Sequence, residues 1–131
     1  MTAEWQLVID GEFETLNPYI NAERGNRYAA AKIKSAETLR VELSARFMPQ
    51  VTEYPVIIHI EWYRSNERTD PDNVDFARKF VLDGLVKAGI LRNDTCKEIS
   101  RLVADVRQSD QPCVIVNIIP VRKGGKLPRF N

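Results

Sequence analysis

The run Val56-Ile57-Ile58-His59-Ile60-Glu61-Trp62-Tyr63 constrains the fold of this chain more than any other segment. β-branched and aromatic side chains at this density suit a pleated, half-buried surface. A strand over 55–64 follows. Its period of two puts Val56, Ile58, Ile60 and Trp62 on one face and Ile57, His59, Glu61 and Tyr63 on the other. The first face is wholly apolar, so helices or a second layer must cover it. Polar residues 65–69 then deliver the chain to Asp70-Pro71-Asp72-Asn73. Proline suits a helix boundary there, and aspartate satisfies free N–H groups, so strand, loop and helix follow one another at the centre of the chain.

The remaining elements are read around that centre. Residues 5–13 alternate well enough for a first strand, with Asp10-Gly11 as a possible turn. Residues 15–25 read as loop, because Asn17-Pro18 and Gly25-Asn26 are strong punctuation. A helix is expected over 27–47, with Ile33, Ala36, Leu39, Leu43 and Phe47 on its buried side and Met48-Pro49 ending it. A second helix is expected over 73–88, with Val74, Ala77, Val81, Leu85 and Ala88 as its core stripe and Gly89 as its stop. Strands over 99–107 and 112–121, joined by Gln108-Ser109-Asp110-Gln111, read most simply as an antiparallel hairpin. The order β-α-β-α-β-β implies an α+β fold, with two main helices packed on a mixed sheet.

At 131 residues, 1–131 is expected to be a single domain, with 122–131 as a basic, flexible tail. That length buries enough apolar surface without disulfides. Apolar residues at 44% and charged residues at 28% are ordinary for a soluble globular protein. No apolar run approaches a membrane span, and the N-terminus lacks the pattern of a secretory signal. Cys96 and Cys113 belong to no CxxC or Cys/His cluster, which argues against zinc and for two reduced, partly buried thiols in a cytoplasmic protein. His59 reads as a hydrogen-bonded strand residue, and Trp5 and Trp62 as core or interface aromatics.

A net charge of +1 does not advertise a nucleic-acid partner. Its distribution is more informative. Arg24, Arg27, Lys32 and Lys34 crowd one stretch beside Glu23. Arg122, Lys123, Lys126 and Arg129 crowd the C-terminus, where there is no acid. Acids gather instead around Asp70. On an ideal helix, Asp72, Lys79 and Asp83 share one face. Surface ion pairs Asp75–Lys79 and Lys79–Asp83 explain that pattern equally well, and Asp83 reads as structural. Asp70 and Asp72, flanking a proline, repel one another unless a cation, a cationic side chain or solvent relieves them. Hard cations such as Mg²⁺ want such oxygens, and phosphodiester cleavage uses such cations.

Two rival D-x-D readings fail. An EF-hand loop needs an oxygen ligand at Val74, glycine at Asp75 and glutamate at Val81. The D-x-D-x-V of haloacid dehalogenase phosphatases ends an apolar strand, whereas Asn66-Glu67-Arg68-Thr69 is polar, and that fold is larger than this chain.

The set Asp70-Pro71-Asp72-Asn73, Lys79, Asp83-Gly84-Leu85, Gly89 and Asn93-Asp94 resembles the RusA family of Holliday junction resolvases. Leu16-Asn17-Pro18-Tyr19 resembles that family's N-terminal loop. Asn93 departs from the family pattern by replacing the first acid of its usual pair. The Asn73-to-Lys79 gap is also about one helical turn longer than in the shorter members. The resemblance implies a RusA-like fold and a Mg²⁺-dependent endodeoxyribonuclease, with Mn²⁺ as substitute. The enzyme would resolve four-way junctions in DNA recombination and repair by paired symmetrical nicks, acting as a homodimer. It implies that Asp70, Asp72 and Asp94 are the catalytic, metal-binding acids and that Lys79 stabilises developing charge. Asn73 and Asp83 are supporting residues, and Arg24, Arg27, Lys32, Lys34 and Arg68 are candidates for DNA contact. The alternatives are another metal-dependent DNA nuclease without junction preference, or a non-catalytic DNA-binding protein.

Overall fold

The structure is a computed structural model, and it describes residues 5–121. The expected basic tail lies outside them. The chain forms a small α+β domain with a four-stranded mixed sheet. Its elements run β1 (Trp5–Asp10), α1 (Leu16–Gly25), α2 (Arg27–Ala45), β2 (Val56–Arg64), α3 (Pro71–Asp75), α4 (Arg78–Lys87), β3 (Ile99–Gln108) and β4 (Cys113–Pro120). The spatial order is β1-β4-β2-β3. β4 is antiparallel to both β1 and β2, whereas β3 lies parallel to β2.

That order overturns the expected β3–β4 hairpin. β2 lies between the two strands, so the 109–112 connection crosses it and does not form a tight turn. Two further differences concern the helices. Residues 16–25 form α1 where a loop was expected, because Pro18 falls in the first turn, where N–H groups have no intrahelical partner to lose. Asn26 then caps α2, its Oδ1 accepting the Tyr28 N–H at 2.8 Å. The expected single helix over 73–88 is two helices. Around Phe76 and Ala77 the backbone closes tighter bonds, Ala77 N–H to Val74 O and Phe80 N–H to Ala77 O. The observed order is therefore β-α-α-β-α-α-β-β.

One sheet face carries Trp5, Leu7, Ile9, Val56, Ile58, Ile60, Trp62, Val114, Val116 and Ile118, all buried beneath the helices. This confirms the alternation read in β2, although Ile57 on the other face is buried too. On that other face a polar chain crosses all four strands. Gln6 Nε2 donates to Asn117 Oδ1 (2.7 Å), and the Asn117 amide donates to Glu61 (3.2 Å) and approaches His59 Nδ1 (3.3 Å). His59 Nε2 meets Asp105 at 2.7 Å. His59 is thus the hydrogen-bonded strand residue expected.

The α2 stripe needs correction. Ala30, Thr38, Val41 and Ala45 face inward, while Ala36 is exposed, Leu39 and Leu43 are each 51% exposed and Phe47 is 87% exposed. The reason is Gly84 on α4. A methyl group there would lie 2.5 Å from Val41 Cβ and 2.9 Å from the Thr38 carbonyl. The helices approach too closely for large residues between them. α4 ends as expected: Gly89 has φ +77°, its N–H bonds to Val86 O, and the Ile90 N–H bonds to Leu85 O. Cys96 is exposed rather than partly buried, and Cys113 is half-buried. Among the described residues no helix is long and apolar enough to cross a membrane.

Candidate active site

Asp70 precedes α3 and is exposed. Its carbonyl accepts the Asn73 and Val74 N–H groups, but its carboxylate does not cap the helix. The ordinary structural duty of an aspartate at this position is therefore carried by its backbone. Asp72, in the first turn, accepts the Asn73 N–H at 3.0 Å. The Asn73 N–H thus donates both to that carboxylate and to the Asp70 carbonyl.

Lys79 is exposed on α4, and among the described residues it has no ion pair. Neither of the helical pairs that could have explained it forms. Asp75 pairs instead with Arg78 (3.2 Å) and accepts the indole N–H of Trp62 (3.0 Å). Asp72, Lys79 and Asp94 line one cleft of about 440 Å³, with Asp75, Phe76 and Leu82 among its walls. The Phe76 ring in that wall packs, tilted or edge-to-face, with Tyr19 and Phe80, at 5.1 to 5.9 Å between ring centroids.

The three expected metal acids do not converge fully. Asp70 is not in the wall of that cleft. Among the described residues no group of three or more carboxylate, imidazole or thiol side chains is gathered to hold a metal. The adjoining hollows show why. Asp72 borders Ala104 to Val106 of β3, and Asp94 borders Ile99 to Leu102. The two acids thus share one cleft but border different stretches of β3. The donor chemistry still suits Mg²⁺, which is commonly held by one or two carboxylates with waters and phosphate oxygens completing the shell.

Two anchors hold the loops that carry these acids, and neither was foreseen. Glu12 Oε1 accepts the Ser65 N–H (2.6 Å) and hydroxyl (3.0 Å), fixing the start of the loop toward Asp70. The Ser65 N–H above all holds its carboxyl below the ordinary carboxylate range. Glu98 has a side chain 7% exposed, receives Arg92 Nε at 3.0 Å and accepts the Thr95 hydroxyl. Those donors, Thr95 first, likewise hold its carboxyl low. The Glu98 carbonyl accepts the Val56 N–H, and the Arg92 N–H donates to the Tyr54 hydroxyl. Asp94 thus rides on a loop tied to β2 and β3.

Of the basic candidates, Lys34 reaches a second hollow beside this cleft, with Asp83, Lys87 and Asp94. Arg24, Arg27, Lys32 and Arg68 are exposed. Arg27 lies over the Tyr28 ring, and Arg68 occupies the loop before Asp70, its N–H bonded to Asn66. A scan against protein-family models found no match, and a search of curated proteins found no similar sequence.

Proposed function

We propose that this protein is a Mg²⁺-dependent endodeoxyribonuclease acting on branched DNA, the activity that its resemblance to RusA-type resolvases implies. The observation that carries the reading is the single cleft walled by Asp72, Lys79 and Asp94, with no ion pair among them in the described residues. Acids and an ammonium that leave one another unneutralised at a cleft are available to an incoming ligand. A phosphodiester with its cation matches both signs of charge.

In this reading Asp72 and Asp94, with Asp70 at the adjoining helix start, are the residues that would hold the ion. When bound, it supplies Lewis acidity and positive charge beside the phosphate oxygens. Lys79 faces the charge that develops on the phosphate, where a fixed cation contributes most. Glu98 and Glu12 act through the loops, as positioning residues. A homodimer belongs to the reading because paired nicks need two sites, and two-fold dimers are the commonest assemblies.

The test compares a synthetic four-way junction with linear duplex and flap DNA, in Mg²⁺, Mn²⁺ or a chelator, for wild type and Asp72→Asn. Metal-dependent cutting of the junction, lost in Asp72→Asn, is the expected result. Equal cutting of all three substrates leaves a nuclease without junction preference, and no cutting overturns the enzyme reading. One observation favours a non-catalytic DNA-binding protein as second reading: the acids are not gathered into a metal cluster among the described residues. For that protein Asp72→Asn changes neither cleavage nor metal affinity. Sedimentation of the full chain at micromolar concentration tests the dimer.

A further inference from the structure

The hollow next to the cleft lies between α2 and α4. It measures about 340 Å³, and its walls include Lys34, Ser35 and Thr38 from α2, Asp83 and Lys87 from α4, and Asp94. Three of its features have no structural use. Lys34 and Lys87 come from different helices onto one space that also holds two carboxylates. Among the described residues neither lysine pairs with either acid. Thr38 is 3% exposed, and among the described residues its hydroxyl has no hydrogen-bond partner. A buried hydroxyl without a partner is a cost that native structures rarely carry without reason.

We propose that this hollow seats a backbone phosphate of the nucleic acid, neighbouring the phosphate that faces Asp72 and Lys79. The assignment rests on the nuclease reading above and adds the strand's second point of attachment. Lys34 and Lys87 supply the charge, and Ser35 and Thr38 supply hydroxyl donors from the same stretch of α2. Asp94 lies in the wall of both spaces, so a strand passing it touches both. Asp83 is the opposing charge, outnumbered by the two lysines once Asp94 is engaged with a cation. Gly84 makes the site possible, since its missing side chain lets α2 come close enough for Lys34 and Thr38 to face Lys87.

The experiment is a fluorescence-anisotropy titration of labelled four-way junction and duplex DNA with the full chain. Ca²⁺ replaces Mg²⁺, and the titration is repeated across a salt series. The wild type is compared with a Lys34→Ala/Lys87→Ala double variant, Thr38→Val and an Arg46→Ala control. Loss of one phosphate contact lowers the slope of log affinity against log salt by about one. The double variant should show that drop, with Arg46→Ala unchanged, and Thr38→Val should weaken binding while keeping the wild-type slope. Circular dichroism melts check that each variant is folded.

Inorganic phosphate should compete less well against the double variant than against wild type. A wild-type slope in the double variant overturns the site, and wild-type affinity in Thr38→Val removes the hydroxyl from it. Cleavage is scored separately in Mg²⁺. If wild type cuts DNA but the double variant keeps its slope, the subsite fails while the nuclease stands. If wild type cuts nothing yet the slope drops, the phosphate seat stands without the nuclease. Absence of salt-dependent DNA binding by wild type overturns both.

Discussion

The loop that leads to Asp70 and Asp72 and the loop that carries Asp94 are held in contrasting ways. The first is fastened from afar, by Glu12 beyond the end of β1 reaching Ser65. The second is fastened from within, by Glu98 gathering Arg92 and Thr95. Both anchors are carboxylates receiving donors, yet Glu12 keeps 32% side-chain exposure and Glu98 only 7%. The less exposed anchor also fixes a strand, through the Glu98 carbonyl and Val56 N–H. The contrast predicts that the Asp94 end of the cleft is the stiffer and the Asp70–Asp72 end the more adjustable.

The contrast can be broken most directly at Glu98. Under the proposed nuclease reading, Glu98→Ala should cost about tenfold or more in DNA cleavage, as loss of an outer supporting partner does. Hydrogen exchange across 92–98 should accelerate while that of 65–70 stays unchanged. Wild-type exchange at 92–98 would show that the loop does not depend on its anchor.

Gly84→Ala lies at the contact of α4 with α2, away from both anchors, and should treat the two ends alike. Its methyl group has no room against Val41, so stability measured by urea unfolding should fall by about 1–3 kcal/mol. A next test lowers the pH. Both Glu12 and Glu98 titrate below their ordinary value of 4.5 when folded. Their stabilisation is therefore complete above about 4.5 and drains away as pH falls through the lowered values. Exchange protection in both loops should decline on acidification below 4.5, and a decline on raising pH from 4.5 would contradict the assignment. Glu12→Gln should be milder, at about 0.5–1.5 kcal/mol, because one acceptor remains and the site is partly solvated. Smallest of all is Tyr54→Phe, about 0.5 kcal/mol, which removes the acceptor for the exposed Arg92 N–H.

Much of the fold was legible in side-chain period. β2 announced itself by its β-branched alternation, and Gly89 marked the end of α4. Failures came where the controlling partner lies elsewhere in the chain. Leu39, Leu43 and Phe47 form as regular a helical stripe as the buried one, and only Gly84 on another helix selects Thr38, Val41 and Ala45. Neighbouring strands usually pair, which made the hairpin the natural expectation, but β4 pairs with β1 and β2 instead. Asn17-Pro18 looked like a break because a proline in a helix's first turn leaves the same trace as one in a loop. At the site, Asp72 and Lys79 were legible from spacing, and Asp94 from the resemblance. Glu12 and Glu98 were not, since an anchoring carboxylate is defined by the donors around it and not by any local pattern.

The parallel pairing of β2 with β3 has a kinetic consequence. Among the described residues β3 pairs with no strand but β2, and the chain between them is the whole 65–98 stretch. A parallel edge strand cannot zip up from a tight turn, so it docks only after α3, α4 and the Asp94 loop have closed that distance. Assembly of the cleft and capture of the last strand should therefore be one cooperative event. Amides of β3 and of α4 would then gain protection at the same rate during refolding.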